Sequence, residues 1–407
     1  MNPVARKALE KLFRSAENAA AKDAPSSRAI QLQFSEASFP DYQRFGTRAT
    51  KIECNSDLRL AHRSGAIEID WDARAGEFEH IKTIRLVDGF ALANFLGVTS
   101  RWDSVASASD AFARLIVSHP VLTQVLENWK RGVAVRSTKA SNESVKDWID
   151  AAQVVDVCAA PQNSKDDTPI RSLSSRLFGD SKRIEDLCAL IDVLAQGQVG
   201  GLSRHEEEVF QQLGLVKFPQ TMLVAATSGA AVSISLGKAV VDLAPPYLGV
   251  YPPAITNIQS SSDPITLLTI ENLTSFHESL ATLHSKAGQR ILIIYTGGMP
   301  SPSWRRVYKL VMKNIPAASR VFHWGDVDAG GFRIADVLAS DCNKCGKRLE
   351  LHLMDVAPAV ARKSLSDAEI RSIRSICEKR GWGRELAAIV KHGAAVEQES
   401  LEVSLPH

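Results

Sequence analysis

The spacing of apolar residues changes along this chain, and each change predicts a different kind of element. Across residues 4–21, Leu9, Leu12, Phe13 and Ala16 recur every three or four positions, with Arg6, Lys7, Lys11 and Arg14 on the other side. That is the stripe of an amphipathic helix. A polar stretch at 23–27 follows, residues 30–34 alternate like a short strand, and helical spacing returns over 42–63, ending at Gly65. Residues 66–71 and 80–86 then alternate with period two around a polar, glycine-containing turn, which predicts a hairpin. Residues 107–133 and 144–157 read as helical, with Pro120 opening a helix at Val121, and a further helix runs through Leu194. The glycine-rich break at 197–201 predicts a domain boundary. From 216 to 250 the pattern is strand-like, ending in the prolines around 245 and 252.

Beyond residue 258 the pattern changes again. Mainly apolar runs at 265–270, 290–295, 321–324 and 349–354 alternate with helical segments, one of them covering 274–287 and one capped by Ser301 with Pro302 at its first position. Apolar runs separated by helices predict a parallel sheet covered on both faces. The expected fold class is therefore a multidomain α/β and α+β chain. A winged-helix-like domain (1–105) comes first, since helices followed by a two-stranded ribbon is winged-helix order. A helical, DNA-contacting middle region (106–200), a strand-rich connector (201–257) and a Rossmann-like parallel-sheet domain (258–407) follow.

Composition excludes more than it selects. The 407 residues carry a formal net charge of only +2, so no global field announces nucleic acid, and any basic surface must be local. The six cysteines (Cys54, Cys158, Cys188, Cys342, Cys345 and Cys377) are scattered, which suits reduced thiols and a cytoplasmic location. Cys342 and Cys345 form a lone CxxC without the second pair that zinc would need. No apolar run follows Arg6 and Lys7, so no signal peptide is expected. The most apolar window, 222–241, is broken by serines, glycines and Lys238 and reads as buried strands, not as a membrane span.

The chemistry gathers at strand ends. Asp326 and Asp328 follow the run 321–324 at positions i and i+2, so in an extended chain they project to the same side. Two carboxylates so close repel unless protonated or neutralised, and a divalent metal is the usual remedy. Gly330 and Gly331 open the next helix and allow a backbone or a phosphate to come near. Glu271, the pair Gly297 and Gly298, and Asp355 fall at the ends of the other runs. A single strand-end acid is ordinarily a helix N-cap. Four of them at three strand ends, with two glycine pairs between, point to a metal site at the carboxyl edge of the sheet.

Three basic groups offer DNA contacts. Arg44, Arg48, Lys51, Arg59 and Arg63 lie on the helix ahead of the hairpin; Arg171, Arg176, Lys182 and Arg183 sit among serines; Arg305, Lys309 and Lys313 recur every four residues on one helix. Each has an ordinary alternative: a solvated helix face for the first and third, a capped helix start for the second.

The ordered set Glu, Gly-Gly, Asp-x-Asp resembles the Toprim domain of topoisomerases and related nucleases. In detail it is most similar to the nuclease subunits of bacterial Wadjet plasmid-defence systems, themselves similar to the A subunit of topoisomerase VI. The matching stretches are 270–272 with Phe276, 296–298, 324–328 with Gly331 and Phe332, 354–355 and 396–399. His119-Pro120 through Trp129 and the segment 171–187 match the middle of that family more loosely. The resemblance implies a homodimeric endonuclease that acts on double-stranded DNA and works with an SMC-type ATPase complex. Asp326 and Asp328 would bind one or two Mg²⁺ or Mn²⁺ ions, Asp355 would be a further ligand, and Glu271 would complete the metal site or act as general acid or base. Glu397 and Glu399 would either reach this site or be solvated. Topoisomerase VI cleaves with a tyrosine on its winged helix. Here Tyr42 precedes the expected recognition helix, and Tyr247, Tyr251, Tyr295 and Tyr308 lie in linker, strand or helix, so hydrolysis is expected. A phosphotransferase of the haloacid dehalogenase type would need its Asp-x-Asp on the first strand, not the third. A non-catalytic DNA-binding adaptor would have no use for intact clustered acids.

Overall fold

The computed structural model describes residues 1–20, 29–73, 79–160, 167–285, 288–355 and 363–406. The polar stretch at 23–27, part of the hairpin turn and most of the loop at 162–168 lie outside these. The chain divides into two compact units, Met1–Asp150 with Gly197–Val199, and Ala151–Gln196 with Gly200–His407.

In the first unit the amphipathic helix is Pro3–Ala20, and the apolar stripe read from the sequence is its buried face, with Leu9 and Leu12 fully enclosed. The hairpin strands Ile67–Trp71 and Ile81–Leu86 pair antiparallel, and Gln31–Gln33 adds on the other side of Ile81–Leu86. The helix Arg48–Arg63 starts at Thr47, whose side chain accepts from the Thr50 amide, and it buries Cys54, Leu58 and Ala61 against this sheet. The long helix expected over 107–133 is three pieces, Arg101–Phe112, Leu115–Ser118 and Val121–Lys130. Pro120 is the reason at the second break, because its ring nitrogen has no hydrogen to continue the helical ladder.

The second unit is built on a six-stranded sheet in the order Leu349–Leu351, Arg320–Trp324, Thr266–Ile270, Ile291–Tyr295, Met222–Ala226, Leu248–Val250. The first four strands are mutually parallel; Met222–Ala226 is antiparallel to both its neighbours, Ile291–Tyr295 and Leu248–Val250, and these last two strands of the sheet order come from the strand-rich segment before residue 258. Period-two alternation divides the central strand between two cores. Leu267 faces the cluster around Trp304, Val307 and Phe332, whereas Leu268 and Ile270 face the cluster around Phe276, Leu280 and Leu283. Helices therefore cover both faces, as the apolar runs predict. Each large apolar side chain sealed in this way contributes roughly 1.5–3 kcal/mol.

The connections reverse at the central strand. From Thr266–Ile270 the chain passes through helix Leu273–Ser285 to one neighbour, then through helix Pro302–Asn314 to the other. That leaves a crevice between the ends of Thr266–Ile270 and Arg320–Trp324, the usual ligand position in open α/β sheets. The register sets the level of the rim: Ile270 lies opposite both Tyr295 and Trp324, so Glu271, Thr296 and Gly325 follow side by side. The last parallel strand is shorter than its apolar run. It stops at Leu351 because Leu353 takes a left-handed backbone conformation (φ 56°), incompatible with a strand.

Candidate active site at the carboxyl rim of the sheet

Glu271 is the first residue past the central strand, and its amide donates to the Trp324 carbonyl at 3.0 Å, which fixes it against the neighbouring strand end. Its carboxylate turns toward the aspartates: Oε2 accepts from the Asp326 amide at 3.2 Å. Two close approaches leave room for this. A methyl group on Gly325 would lie 2.6 Å from Glu271 Oε2 and 2.8 Å from His323 Nε2, and one on Gly331 would overlap the Asp326 carbonyl oxygen. Of the pair Gly330 and Gly331, read from the sequence as room for a backbone or a phosphate, Gly331 serves a backbone, and Gly325 adds a second close approach. Gly331 lets the helix Ala329–Lys344 start against the Asp326 backbone, and Gly325 leaves the space into which Glu271 reaches.

Asp328 is the N-cap of that helix, with Oδ1 accepting from the Gly331 amide at 2.8 Å. Asp326 points to the C-terminal segment instead. The Gln398 amide donates to its Oδ1 at 2.7 Å, and a backbone bridge joins Val327 to Val396. Gln398 is fully buried, its Oε1 accepts from the Asn272 amide at 2.9 Å, and Asn272 Nδ2 donates to Glu399 at 2.5 Å. The tail is thereby sewn to the ends of two strands, and it delivers Glu397 and Glu399 to Asp326. One carboxylate oxygen from each of these three residues lies within 4.8 Å of the others, an arrangement able to hold a metal ion.

Electrostatics mark the same spot. Burial, then the neighbouring Asp326 charge, push the Glu271 carboxyl up to about 8. Burial raises Asp326 to about 6; the Gln398 amide opposes the rise, and the charges of Asp328, Glu397 and Glu399 add to it. Carboxyls this reluctant to ionise lack a counter-charge, and a divalent cation would supply one.

His323, which the sequence reading passed over, is fully buried behind Glu271. Its Nδ1 lies 3.0 Å from Thr269 Oγ1, its Nε2 has no hydrogen-bond partner among the described residues, and burial pulls its pKa down to about 3. A neutral ring with a bare nitrogen beside the carboxylates is a polar group that the surrounding protein does not satisfy.

The other sequence candidates are placed differently. Asp355 pairs with Arg384 at 2.5 Å. Arg305 does not present a free cation: its guanidinium makes two bonds, 2.6 and 3.0 Å, to Asp341, which is fully buried, so it ties two helices together. Lys309 is half-buried and Lys313 exposed on the same helix. Arg171 is exposed, 3.8 Å from Glu185; Lys182 is exposed; Arg183 is half-buried. In the first unit, Lys51 lies 3.1 Å from His80 Nδ1, and Arg59 stacks on Trp71 with 5.0 Å to the ring centre. Tyr42 is buried in the same unit. Its hydroxyl donates to Asn55 and accepts from the Ile81 amide, both at 2.9 Å, and burial pushes it up to about 12.

Among the described residues no helix is long and apolar enough to cross a membrane. Residues 231–403 match the family described as Wadjet protein JetD, C-terminal. The chain is also similar to the Wadjet protein JetD of Bacillus cereus (strain Q1). The two are 23% identical over 322 residues, which span 75% of this chain and 73% of that protein.

Proposed function

We propose that this chain, whose C-terminal region matches the Wadjet JetD family, is the nuclease subunit of a Wadjet-type defence system, a metal-dependent endonuclease that hydrolyses double-stranded DNA. The observation that carries the reading is the convergence of Asp326, Glu397 and Glu399 on one point, with Glu271 held against the Asp326 amide. Asp326 and the two tail glutamates are the residues that would hold Mg²⁺ or Mn²⁺, with Asp328 beside them; Asp355 is a weaker candidate because Arg384 already occupies it. A bound cation would polarise the scissile phosphate and make its water a nucleophile near neutral pH. Burial and the Asp326 charge push the Glu271 carboxyl up to about 8, which suits it to donate a proton. Since Oε2 takes the Asp326 amide, that proton belongs on the other oxygen, where it can pass to a leaving alkoxide.

The tyrosine route of topoisomerase VI finds little support. Tyr42 has both hydrogen-bonding roles filled inside a core. Tyr295 ends its strand near Glu271, but burial and the Glu271 charge both raise its pKa, which weakens it as a nucleophile. The homodimer, the SMC-type ATPase partner and the Toprim and winged-helix assignments belong to this proposal as properties of the family it resembles. The test is nicking of supercoiled plasmid with Mg²⁺ or Mn²⁺. Asp326→Ala and Glu271→Ala should each abolish it while duplex binding and folding persist, and cleavage retained in either variant removes the mechanism.

A further inference from the structure

A cation stands next to the acidic rim, already occupied. Arg333 lies one turn into the helix that Asp328 caps, and its guanidinium forks onto Glu208 with Nε to Oε1 at 2.5 Å and Nη2 to Oε2 at 2.6 Å. Glu208 comes from the short helix Glu206–Gln212 of the strand-rich segment. Both side chains are mostly enclosed, 21% and 10% exposed. The pair belongs to the site. The space above Gly330 is bordered by Asp328 Oδ1 and by Arg333 Nη2, the Arg333 guanidinium feels the Asp328 charge, and Glu271 feels that of Glu208.

A phosphodiester and a carboxylate present the same two-oxygen face to an arginine fork. An acidic rim has little with which to attract DNA, and a substrate phosphate arriving there needs a positive group for the oxygen that a metal does not take. We propose that Arg333 is the phosphate anchor of this site and that Glu208 is its resident competitor, a carboxylate in the seat of the phosphate that entering DNA must displace. The proposal rests on the nuclease reading. The alternative is an ion pair that only fastens the connector helix to the sheet domain.

The two ideas differ in sign. With the full chain, a fluorescent DNA duplex and Ca²⁺ in place of the catalytic ion, Glu208→Gln should tighten binding several-fold. Arg333→Gln should weaken it about tenfold and lower the slope of log K against log salt by about one. Arg333→Lys should restore part of the affinity, since it keeps the charge and loses the fork. Glu208→Gln should have no effect on binding in the Arg333→Gln background. Melting temperatures identify any variant that fails to fold, and the Lys and Gln exchanges keep the comparison open if one does. Weaker binding in both Glu208→Gln and Arg333→Gln, or an unchanged salt slope in Arg333→Gln, overturns the proposal. If the wild type fails to nick plasmid with Mg²⁺ or Mn²⁺, the nuclease reading fails instead, and the opposite signs on binding still decide the role of Arg333.

Discussion

The two basic and acidic regions of this protein handle charge in opposite ways. On the helix Arg48–Arg63 of the first unit, cations find local partners: Arg48 meets Glu79, Lys51 meets His80, and Arg59 lies on Trp71. Beneath them Tyr42 is fully satisfied. At the sheet rim of the second unit, acids are collected from segments more than a hundred residues apart and left facing one another, so that Glu271 and Asp326 resist ionisation. A folded chain tolerates such repulsion where something else supplies the missing charge. The accumulated acids, more than the exposed cations, mark the candidate site.

The largest effect should come from Asp326→Ala, which removes the carboxylate shared by the strand and tail halves of the cluster. Metal-dependent nicking should fall by about 10³-fold or more, with the melting temperature unchanged or raised. A decrease of less than tenfold would show that the cluster is not where the cation sits. Next is Arg305→Ala, which leaves the fully buried Asp341 unpaired and should cost about 3–5 kcal/mol of stability in a denaturant titration. A loss of DNA affinity without loss of stability would return Arg305 to the DNA-contacting set. Glu397→Ala combined with Glu399→Ala should weaken Mn²⁺ binding, measured by calorimetry, by about 10–100-fold while the rest of the site persists.

The acid rim also predicts a pH dependence. Glu271 and Asp326 bind protons more tightly in the folded protein than in the unfolded chain, so the metal-free protein should lose stability as pH rises from the ordinary carboxylate range, about 4, toward about 8. Added Mg²⁺ or Mn²⁺ should restore it, and Glu271→Gln should flatten the upper part of the profile. A melting temperature that rises over this window without metal would contradict the electrostatic account. The smallest effect on activity belongs to Tyr42→Phe, which should leave cleavage unchanged and cost about 1–3 kcal/mol through the lost bonds to Asn55 and Ile81. Loss of cleavage in that variant would favour a tyrosine nucleophile.

Much of this is legible in the sequence. The alternation at 66–71 and 80–86, the apolar runs at 265–270 and 290–295, and the cap at Ser301 are local signals, and the structure contains each element. The basic stripe of Arg305, Lys309 and Lys313 was legible as a spacing but not as a surface, because Asp341, which withdraws Arg305 from it, comes from another helix. His323 gave no signal because a histidine within an apolar run looks like any other strand residue.

By itself the sequence determined the amphipathic first helix, the hairpin and the central strands of the sheet, and it put Glu271, Asp326 and Asp328 at strand ends, since period and run length act over a few residues. Only the tertiary structure decided which acids meet. The bridge from Val327 to Val396 and the bonds of buried Gln398 bring Glu397 and Glu399 to Asp326, while Asp355 goes to Arg384 and Arg333 to Glu208. Those pairings depend on register, crossover direction and the path of the tail, which are set by long-range packing and leave no mark on the local spacing of residues.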